Sequence, residues 1–96
     1  MALKLVWTKS AKNGYARIVE YLEKEFTDRE VRNFVRETNH FFDLLKENPY
    51  LLEPTQNKRN MFRGPINRLT FLVYSYKPHK KEIVLIHIRG TRRKPL

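Results

Sequence analysis

The sequence predicts an α+β domain in which an antiparallel helical hairpin packs on one face of a small, mainly antiparallel sheet, in the order β-α-α-β-β-β. Apolar residues recur at helical spacing in the first half of the chain, and segments rich in β-branched and aromatic residues follow in the second half. A length of 96 residues allows one modest hydrophobic core. We therefore expect residues 1–96 to form a single domain.

The first predicted strand is followed directly by the first predicted helix. Leu3, Leu5 and Trp7 occupy alternate positions, as in a strand with one buried face. Either Thr8 or Ser10 is placed to cap the helix that follows. The apolar stripe of that helix consists of Ala11, Tyr15, Ile18, Val19, Leu22 and Phe26.

A second helix is predicted after a very short connection. Thr27 and Glu30 form the T-x-x-E pattern of a capping box, and Asn48-Pro49 ends the helix because proline disfavours helical geometry in the residue before it. The apolar stripe consists of Val31, Phe34, Val35, Thr38, Phe41, Phe42 and Leu45. Two helices joined in this way are expected to fold back on each other as an antiparallel hairpin.

The second half of the chain is expected to supply the rest of the sheet. Residues 50–60 contain Pro54, and their apolar residues follow neither a helical nor a strand spacing, which predicts a surface loop. Residues 61–63 form a short strand that Gly64-Pro65 is expected to break. Residues 69–76 and 82–89 then form a hairpin around the turn at 77–81.

Strict alternation along this hairpin predicts one apolar face and one mixed face. The apolar face, expected to contact the helices, contains Leu69, Phe71, Val73, Val84, Ile86 and Ile88. The mixed face contains Thr70, Leu72, Tyr74, Tyr76, Ile83, Leu85, His87 and Arg89. In this interpretation the mixed face is left free to bind a partner.

The positive charge of the chain is concentrated in its second half. The formal net charge is +10. Residues 1–48 hold 9 basic and 8 acidic side chains, whereas residues 49–96 hold 11 basic and 2 acidic ones. A field of this kind indicates a polyanionic partner, such as RNA, DNA or an acidic protein segment. A surface that is basic only for solubility is the alternative, but it would scatter its charges more evenly.

Several classes of protein are disfavoured by the composition. The chain has no cysteine, and its three histidines lack a metal-ligand spacing, so we expect no metal. No phosphate-binding loop, nucleophile elbow or dinucleotide fingerprint is present, so we expect no cofactor. No apolar run is long enough for a membrane span and no leader is recognised, which predicts a cytoplasmic protein that does not act at a membrane.

The candidate site is a group of basic residues on or beside the predicted sheet, interleaved with aromatic residues. The basic members are Arg63, Arg68, Arg89, Arg92, Arg93 and Lys94, and the others are Tyr74, Tyr76 and His87. Arginines bind phosphate oxygens and tyrosines offer faces to unstacked bases, so single-stranded RNA is a chemically suitable ligand.

Cleavage of RNA would need further functions from the same group. A proton carrier must activate the 2′-OH, and cations must stabilise the transition state. His87 or a tyrosine is the candidate proton carrier, and Arg63, Arg89 and Arg92 are the candidate cations. The alternatives are that Tyr74 and Tyr76 are cross-strand packing partners, that His87 is a polar residue facing solvent, and that the tail arginines are simply solvated.

Three strings, in this order and spacing, resemble the RelE/ParE superfamily of type II toxins. They are LVWTKSAKNGYARIVEYL at 5–22, FFDLLKENPYL at 41–51, and RLTFLVYSY followed by KEIVLIHIRGTRRKP at 68–95. The resemblance spans nearly the whole chain. It implies a growth-arresting toxin bound, in a hetero-oligomer, by a cognate antitoxin whose acidic disordered segment folds on binding as a helix and a strand.

Two branches of this superfamily imply different targets. RelE-like members cut mRNA on the ribosome, often with a tyrosine near the C-terminus, whereas ParE-like members inhibit DNA gyrase and are not nucleases. This chain has no tyrosine after Tyr76, and its threonine-arginine-x-x-proline ending resembles the ParE-like branch, which we favour. Arg92 corresponds to the tail arginine of that pattern, and Arg63 lies near a basic residue before the third strand. A basic nucleic-acid-binding module with no toxic role is a further alternative.

Overall fold

The computed structural model describes residues 3–56 and 58–91, which form two helices packed on one five-stranded sheet. The elements are β1 (Lys4–Trp7), α1 (Lys9–Glu25), α2 (Asp28–Glu47), β2 (Glu53–Pro54), β3 (Met61–Asn67), β4 (Thr70–Lys77) and β5 (Glu82–Gly90). The strand order is β1-β5-β4-β3-β2, with β1 parallel to β5 and all other pairs antiparallel. The predicted α+β class and its β-α-α-β-β-β order are confirmed, and the two-residue β2 is an addition within the predicted loop.

Thr8, the first of the two predicted caps, begins α1 and also joins the helix to the sheet. Its Oγ1 accepts a hydrogen bond from the backbone N–H of Ala11 at 3.1 Å and donates to the carbonyl oxygen of Leu85 at 2.7 Å. The same hydroxyl therefore satisfies a free donor of the helix terminus and fixes the start of α1 beside β5.

The capping box predicted at the start of α2 is present. The backbone N–H of Glu30 donates to Thr27 Oγ1, and the backbone N–H of Thr27 donates to Glu30 Oε1, both at 3.2 Å. At the other end, Asn48 caps the helix and its N–H donates to the carbonyl oxygen of Leu44 at 3.0 Å. Local sequence signals thus set both ends of α2.

The core lies between the helical hairpin and the sheet and is rich in aromatic contacts. Trp7 of β1 meets Tyr15 of α1 and Phe42 of α2 edge-on, with ring centroids 5.7 and 5.3 Å apart. The fully buried side chains include Leu45, Leu72, Tyr74, Ile83 and Leu85. Both helices therefore pack on the same face of the sheet. Within the described ranges, neither helix has the length and apolar content that a membrane span requires.

The prediction that Gly64-Pro65 would break the third strand is wrong, because β3 continues through both residues to Asn67. β2 pairs with β3 only at Phe62 and Arg63. Beyond Arg63, the outer edge of β3 has no described strand beside it, so the missing N–H of Pro65 costs no ladder hydrogen bond. The register of β3 and β4 then shifts between Pro65 and Asn67.

The predicted faces of the last hairpin are also wrong: in β4 and in β5 up to Leu85 the helices cover the face predicted to be free, and a β-bulge then interrupts the alternation of β5. Tyr74 is paired with Leu85 and Val73 with His87, so Ile86 is the extra residue. Before the bulge Leu85 points toward the helices, and after it Ile88 does so as well. A bulge of this kind reverses the parity of the residues that follow it. The helices therefore cover Ile88 together with Thr70, Leu72, Tyr74, Ile83 and Leu85, and of these only Ile88 owes its side to the bulge.

Candidate functional site

The face of the sheet opposite the helices, which we call the open face, carries the exposed sheet cations. In β4 the buried residues are Thr70, Leu72 and Tyr74, so Phe71 and Val73 project to the other side. By the same alternation and pairing, the open-face residues of all five strands are Lys4, Val6, Glu53, Met61, Arg63, Pro65, Phe71, Val73, Ser75, Lys77, Glu82, Val84, His87 and Arg89.

The positions of Arg63, Val73 and His87 on the open face follow from strand pairing. Arg63 is paired with Val73, and Val73 is paired with His87. Neighbouring strands lie about 4.8 Å apart, so the backbones of Arg63 and His87 are about 10 Å apart, with the aliphatic side chain of Val73 between them. Next to this row, the guanidinium of Arg89 lies over the ring of Phe71, 4.5 Å from its centroid. Arg89 is therefore held by a cation–π contact.

A groove of about 870 Å³ lies between α1 and the C-terminal half of β5. It exists because β1 ends at Trp7, opposite Leu85, so the rest of β5 is not paired with β1. The buried and half-buried lining residues are Gly14, Ile18, Leu69 and Ile88, and the exposed charged ones are Lys9, Arg17, Arg89 and Glu25. At one end, Ser10 Oγ lies 3.2 Å from Nδ1 of His87. The groove is thus apolar at its base, and three of these four charges along its border are positive.

Two of the basic residues predicted for the site, Arg63 and Arg89, lie on the sheet together with His87, and the three are not equally close. His87 and Arg89 border both the open face and the groove, while Arg63 lies two strands away. Arg68 is exposed in the turn between β3 and β4, where its carbonyl oxygen accepts a hydrogen bond from Thr91 Oγ1 at 2.6 Å. Arg92, Arg93 and Lys94 lie outside the described residues.

The prediction that Tyr74 offers a surface to a nucleic acid is wrong. Its side chain is fully buried on the helix side of the sheet, stacks on Phe62 at 5.2 Å and donates a hydrogen bond to the carbonyl oxygen of Pro49 at 2.6 Å. Tyr76 is half-buried on the same side and meets Tyr50 edge-on at 5.7 Å. Both tyrosines are packing residues, as in the alternative interpretation, and neither lies beside the open-face cations.

Because Tyr74 is buried, its ionisation makes the stability of the protein depend on pH at high pH. Desolvation raises the pKa of Tyr74 to about 12, against a smaller opposing effect of the backbone N–H of Leu52. Between about pH 10 and 12 an unfolded chain loses this proton while the folded protein keeps it. We expect the free energy of unfolding to fall by up to about 1.4 kcal/mol per pH unit in that range. Urea denaturation at pH 9, 10.5 and 11.5 measures this fall in the free energy of unfolding. In Tyr74→Phe the part of the fall that is due to Tyr74 should be absent. An identical pH profile in the two proteins would contradict the assignment.

The groove residues supplied by α1 were not predicted as functional. Lys9, Ser10 and Arg17 lie on the polar side of a predicted amphipathic helix, where solvated charge is the usual interpretation. One available signal was Gly14, because a glycine within a helical pattern often marks a close approach to another backbone. Within residues 3–56 and 58–91, no group of three or more metal-ligating side chains comes together.

Solved structures described as RelE and ParE toxins have a similar fold. A chain of the chromosomal ParDE toxin–antitoxin system from P. aeruginosa superimposes with a TM-score of 0.74 at 14% identity, covering 95% of this chain and 98% of that one. A YoeB/ParE toxin from Agrobacterium tumefaciens gives 0.64 at 22% identity, covering 94% and 100%. The isolated E. coli RelE toxin gives 0.62 at 12% identity, covering 97% and 88%.

The sequence itself assigns the family more narrowly than these structural similarities do. Residues 5–95 match the family model described as "ParE toxin of type II toxin-antitoxin system, parDE". The chain therefore belongs to the ParE toxin family, which confirms the resemblance found in the sequence. No curated protein sequence matches it.

Proposed function

We propose that this chain is the growth-arresting toxin of a type II toxin–antitoxin pair, that its target is DNA gyrase, and that a cognate antitoxin holds it inactive in a toxin–antitoxin complex. Family membership supports the toxin role. The choice of a protein target over mRNA rests on one observation, the composition of the open face. This proposal places the site of action in the cytoplasm, where gyrase works.

The open-face residues do not converge as cleavage of RNA requires. A proton acceptor, a proton donor and a cation must all reach one phosphate and its neighbouring oxygens. Here the backbones of Arg63 and His87 are about 10 Å apart with Val73 between them, and the guanidinium of Arg89 lies over the ring of Phe71. Tyr74, the residue that could have supplied a phenol to this face, is buried. A surface of this kind suits binding better than hydrolysis.

The hydrogen bond of His87 also favours binding over catalysis. Its Nδ1 lies 3.2 Å from Ser10 Oγ. A general-base histidine is normally oriented by a carboxylate, which stabilises the imidazolium that forms during proton transfer. A serine hydroxyl orients the ring but carries no charge to stabilise an imidazolium. In this proposal His87 is therefore a surface contact and not a catalytic residue.

The groove beside β5 is the surface that best fits an antitoxin. A disordered segment that folds on binding can place apolar side chains on the floor at Ile18 and Ile88 and carboxylates against Lys9 and Arg17. The P. aeruginosa ParDE system and the M. tuberculosis RelBE2 toxin–antitoxin complex, which share this fold, are known as toxin–antitoxin pairs. By this analogy we propose an acidic, partly helical antitoxin segment.

Induced expression separates the candidate targets. We expect growth arrest, induction of an SOS reporter and, with purified components, inhibition of the supercoiling of relaxed plasmid by gyrase. Mapping of transcript 5′ ends after induction should show no new codon-positioned cuts. Co-expression of an adjacent reading frame encoding an acidic, helical C-terminal segment should restore growth.

Other outcomes would support the alternatives. New cuts at fixed codon positions, together with unaffected gyrase, would favour a RelE-like ribosome-dependent endoribonuclease. Normal growth while the folded protein accumulates would favour a basic nucleic-acid-binding module with no toxic role.

A further inference from the structure

The centre of the open face is apolar across four strands. Pairing places Val6 beside Val84, Val84 beside Ser75, and Ser75 beside Met61, so these side chains form one row from β1 to β3. Val73 and Phe71 belong to the same face in the adjoining rows. A sheet with one solvated face normally alternates apolar residues inward and polar residues outward. Here both faces are apolar at the centre, although both described helices pack on the opposite one.

Charged residues surround this apolar centre, and most of them are cations. Arg63 and Arg89 border it on one side, where Glu53 is paired with Arg63. Lys4 and Lys77 border it on the other side, where Glu82 lies between the two lysines. All four cations are exposed. An apolar centre within a polar border is the usual anatomy of a protein–protein interface. Because most of the charges around the apolar centre are positive, they favour a partner surface that carries carboxylates.

The same composition disfavours a nucleic acid as the occupant. A nucleic acid needs cations along the path of its phosphates and flat rings for its bases. Val6, Val73 and Val84 offer neither, and the ring of Phe71 is covered on one side by the guanidinium of Arg89. Aliphatic side chains gain most when they are covered by apolar groups of another protein.

We propose that the open face is a protein-docking surface through which this chain engages its target, with apolar partner side chains on Val73 and Val84 and partner carboxylates on Arg63 and Arg89. This inference rests on the proposed function in so far as the target is a protein. It deepens that proposal by assigning the contact to the sheet and not to the helical hairpin or the groove.

Val73→Lys is the variant that distinguishes a protein partner from a nucleic acid. It places a charge at the apolar centre, so it should weaken protein docking, and it adds to the positive field, so it should strengthen binding of a polyanion. We expect the concentration needed for half-inhibition of gyrase to rise by about 30-fold, as for loss of an interface hot spot, and induced growth arrest to be lost. Affinity for a 20-nucleotide single-stranded RNA should stay equal or increase.

Two further variants control for charge and folding. Leu44→Lys adds the same charge at an exposed apolar position on α2, 46% exposed and away from the sheet, and should leave toxicity unchanged. Val73→Thr keeps the branched shape, so the fold is retained, and should give an intermediate loss of inhibition. Circular dichroism and thermal unfolding of each purified full-length variant verify that it is folded.

The outcomes separate the docking surface from the identity of the target. Undiminished inhibition of gyrase and undiminished arrest by folded Val73→Lys would overturn the docking surface while leaving gyrase as the target. Loss of arrest in Val73→Lys, but not in Leu44→Lys, would support the surface even if the unsubstituted chain proved inactive on gyrase. Stronger arrest with stronger RNA binding in Val73→Lys would replace the protein partner with a nucleic acid.

Discussion

Replacing Gly14 by alanine is expected to destabilise the protein by about 3 kcal/mol, although the same change in an exposed helix interior normally stabilises by about 0.5–1 kcal/mol. The reason is the approach of α1 to β5. A Cβ at Gly14 would overlap the carbonyl oxygen of Ile88 and lie 2.8 Å from its carbonyl carbon. Because these are backbone atoms, no side-chain rotation relieves the overlap, and α1 must move away from the sheet.

The urea midpoint of Gly14→Ala, compared with two control variants, measures this effect. Lys12→Ala changes an exposed residue of the same helix and should alter the free energy of unfolding by no more than about 0.5 kcal/mol. Gly64→Ala should cost less than Gly14→Ala, because its nearest neighbour is the movable side chain of Leu52 at 3.3 Å. Wild-type or higher stability of Gly14→Ala would show that α1 does not contact β5 through this glycine.

Replacing Phe42 by alanine is expected to cost about 3–5 kcal/mol. Phe42 is 4% exposed and joins α2 to β1 through an edge-on contact with Trp7, with ring centroids 5.3 Å apart. Its removal leaves a cavity at the junction of both helices and the first strand. Because Trp7 is the only tryptophan of the chain, its fluorescence reports on this junction directly.

Chemical unfolding followed by Trp7 fluorescence tests the contribution of Phe42. The truncation should lower the midpoint and alter the emission of the folded state. Phe42→Leu should lose clearly less stability, since most of the apolar volume is kept. If the alanine variant were within about 1 kcal/mol of wild type, the packing of α2 against β1 described above would be incorrect.

Local signals in the sequence were sufficient to place the helices. The capping box at Thr27 and Glu30 predicted the start of α2, and Asn48-Pro49 predicted its end. The apolar stripes predicted most of the buried helix residues, including Ile18, Leu22, Phe34 and Phe42, whereas Phe26, the last residue of the first stripe, caps α1 and is 38% exposed. These features depend on residues within a few positions of each other, so one sequence contains all the required information.

Features that depend on strand pairing were not predicted correctly. Gly64-Pro65 was interpreted as a break because proline cannot donate a ladder hydrogen bond. On the outer edge of β3, however, β2 pairs only with Phe62 and Arg63, so no hydrogen bond is required of Pro65 there. Strict alternation along β5 placed His87 and Arg89 on the same face as Leu85, which made the face that holds Leu85 and Tyr74 look polar. The extra residue at Ile86 is defined only by the pairing of β5 with β4, so the sequence alone turned the wrong face toward the helices.

The order of the elements, the helix boundaries, the polarised charge and the family can all be read from the sequence, because each of these is a property of residues in order along the chain. The side of the sheet that the helices cover depends on strand pairing and packing, which place Arg63, His87 and Arg89 on one surface with Val73 and not with Tyr74. Packing also creates the groove, since α1 and the end of β5 are more than 60 residues apart in the chain and meet at Gly14 and Ile88. Side-chain alternation has a period of two, so one bulge in one strand is enough to exchange the buried and the exposed residues beyond it.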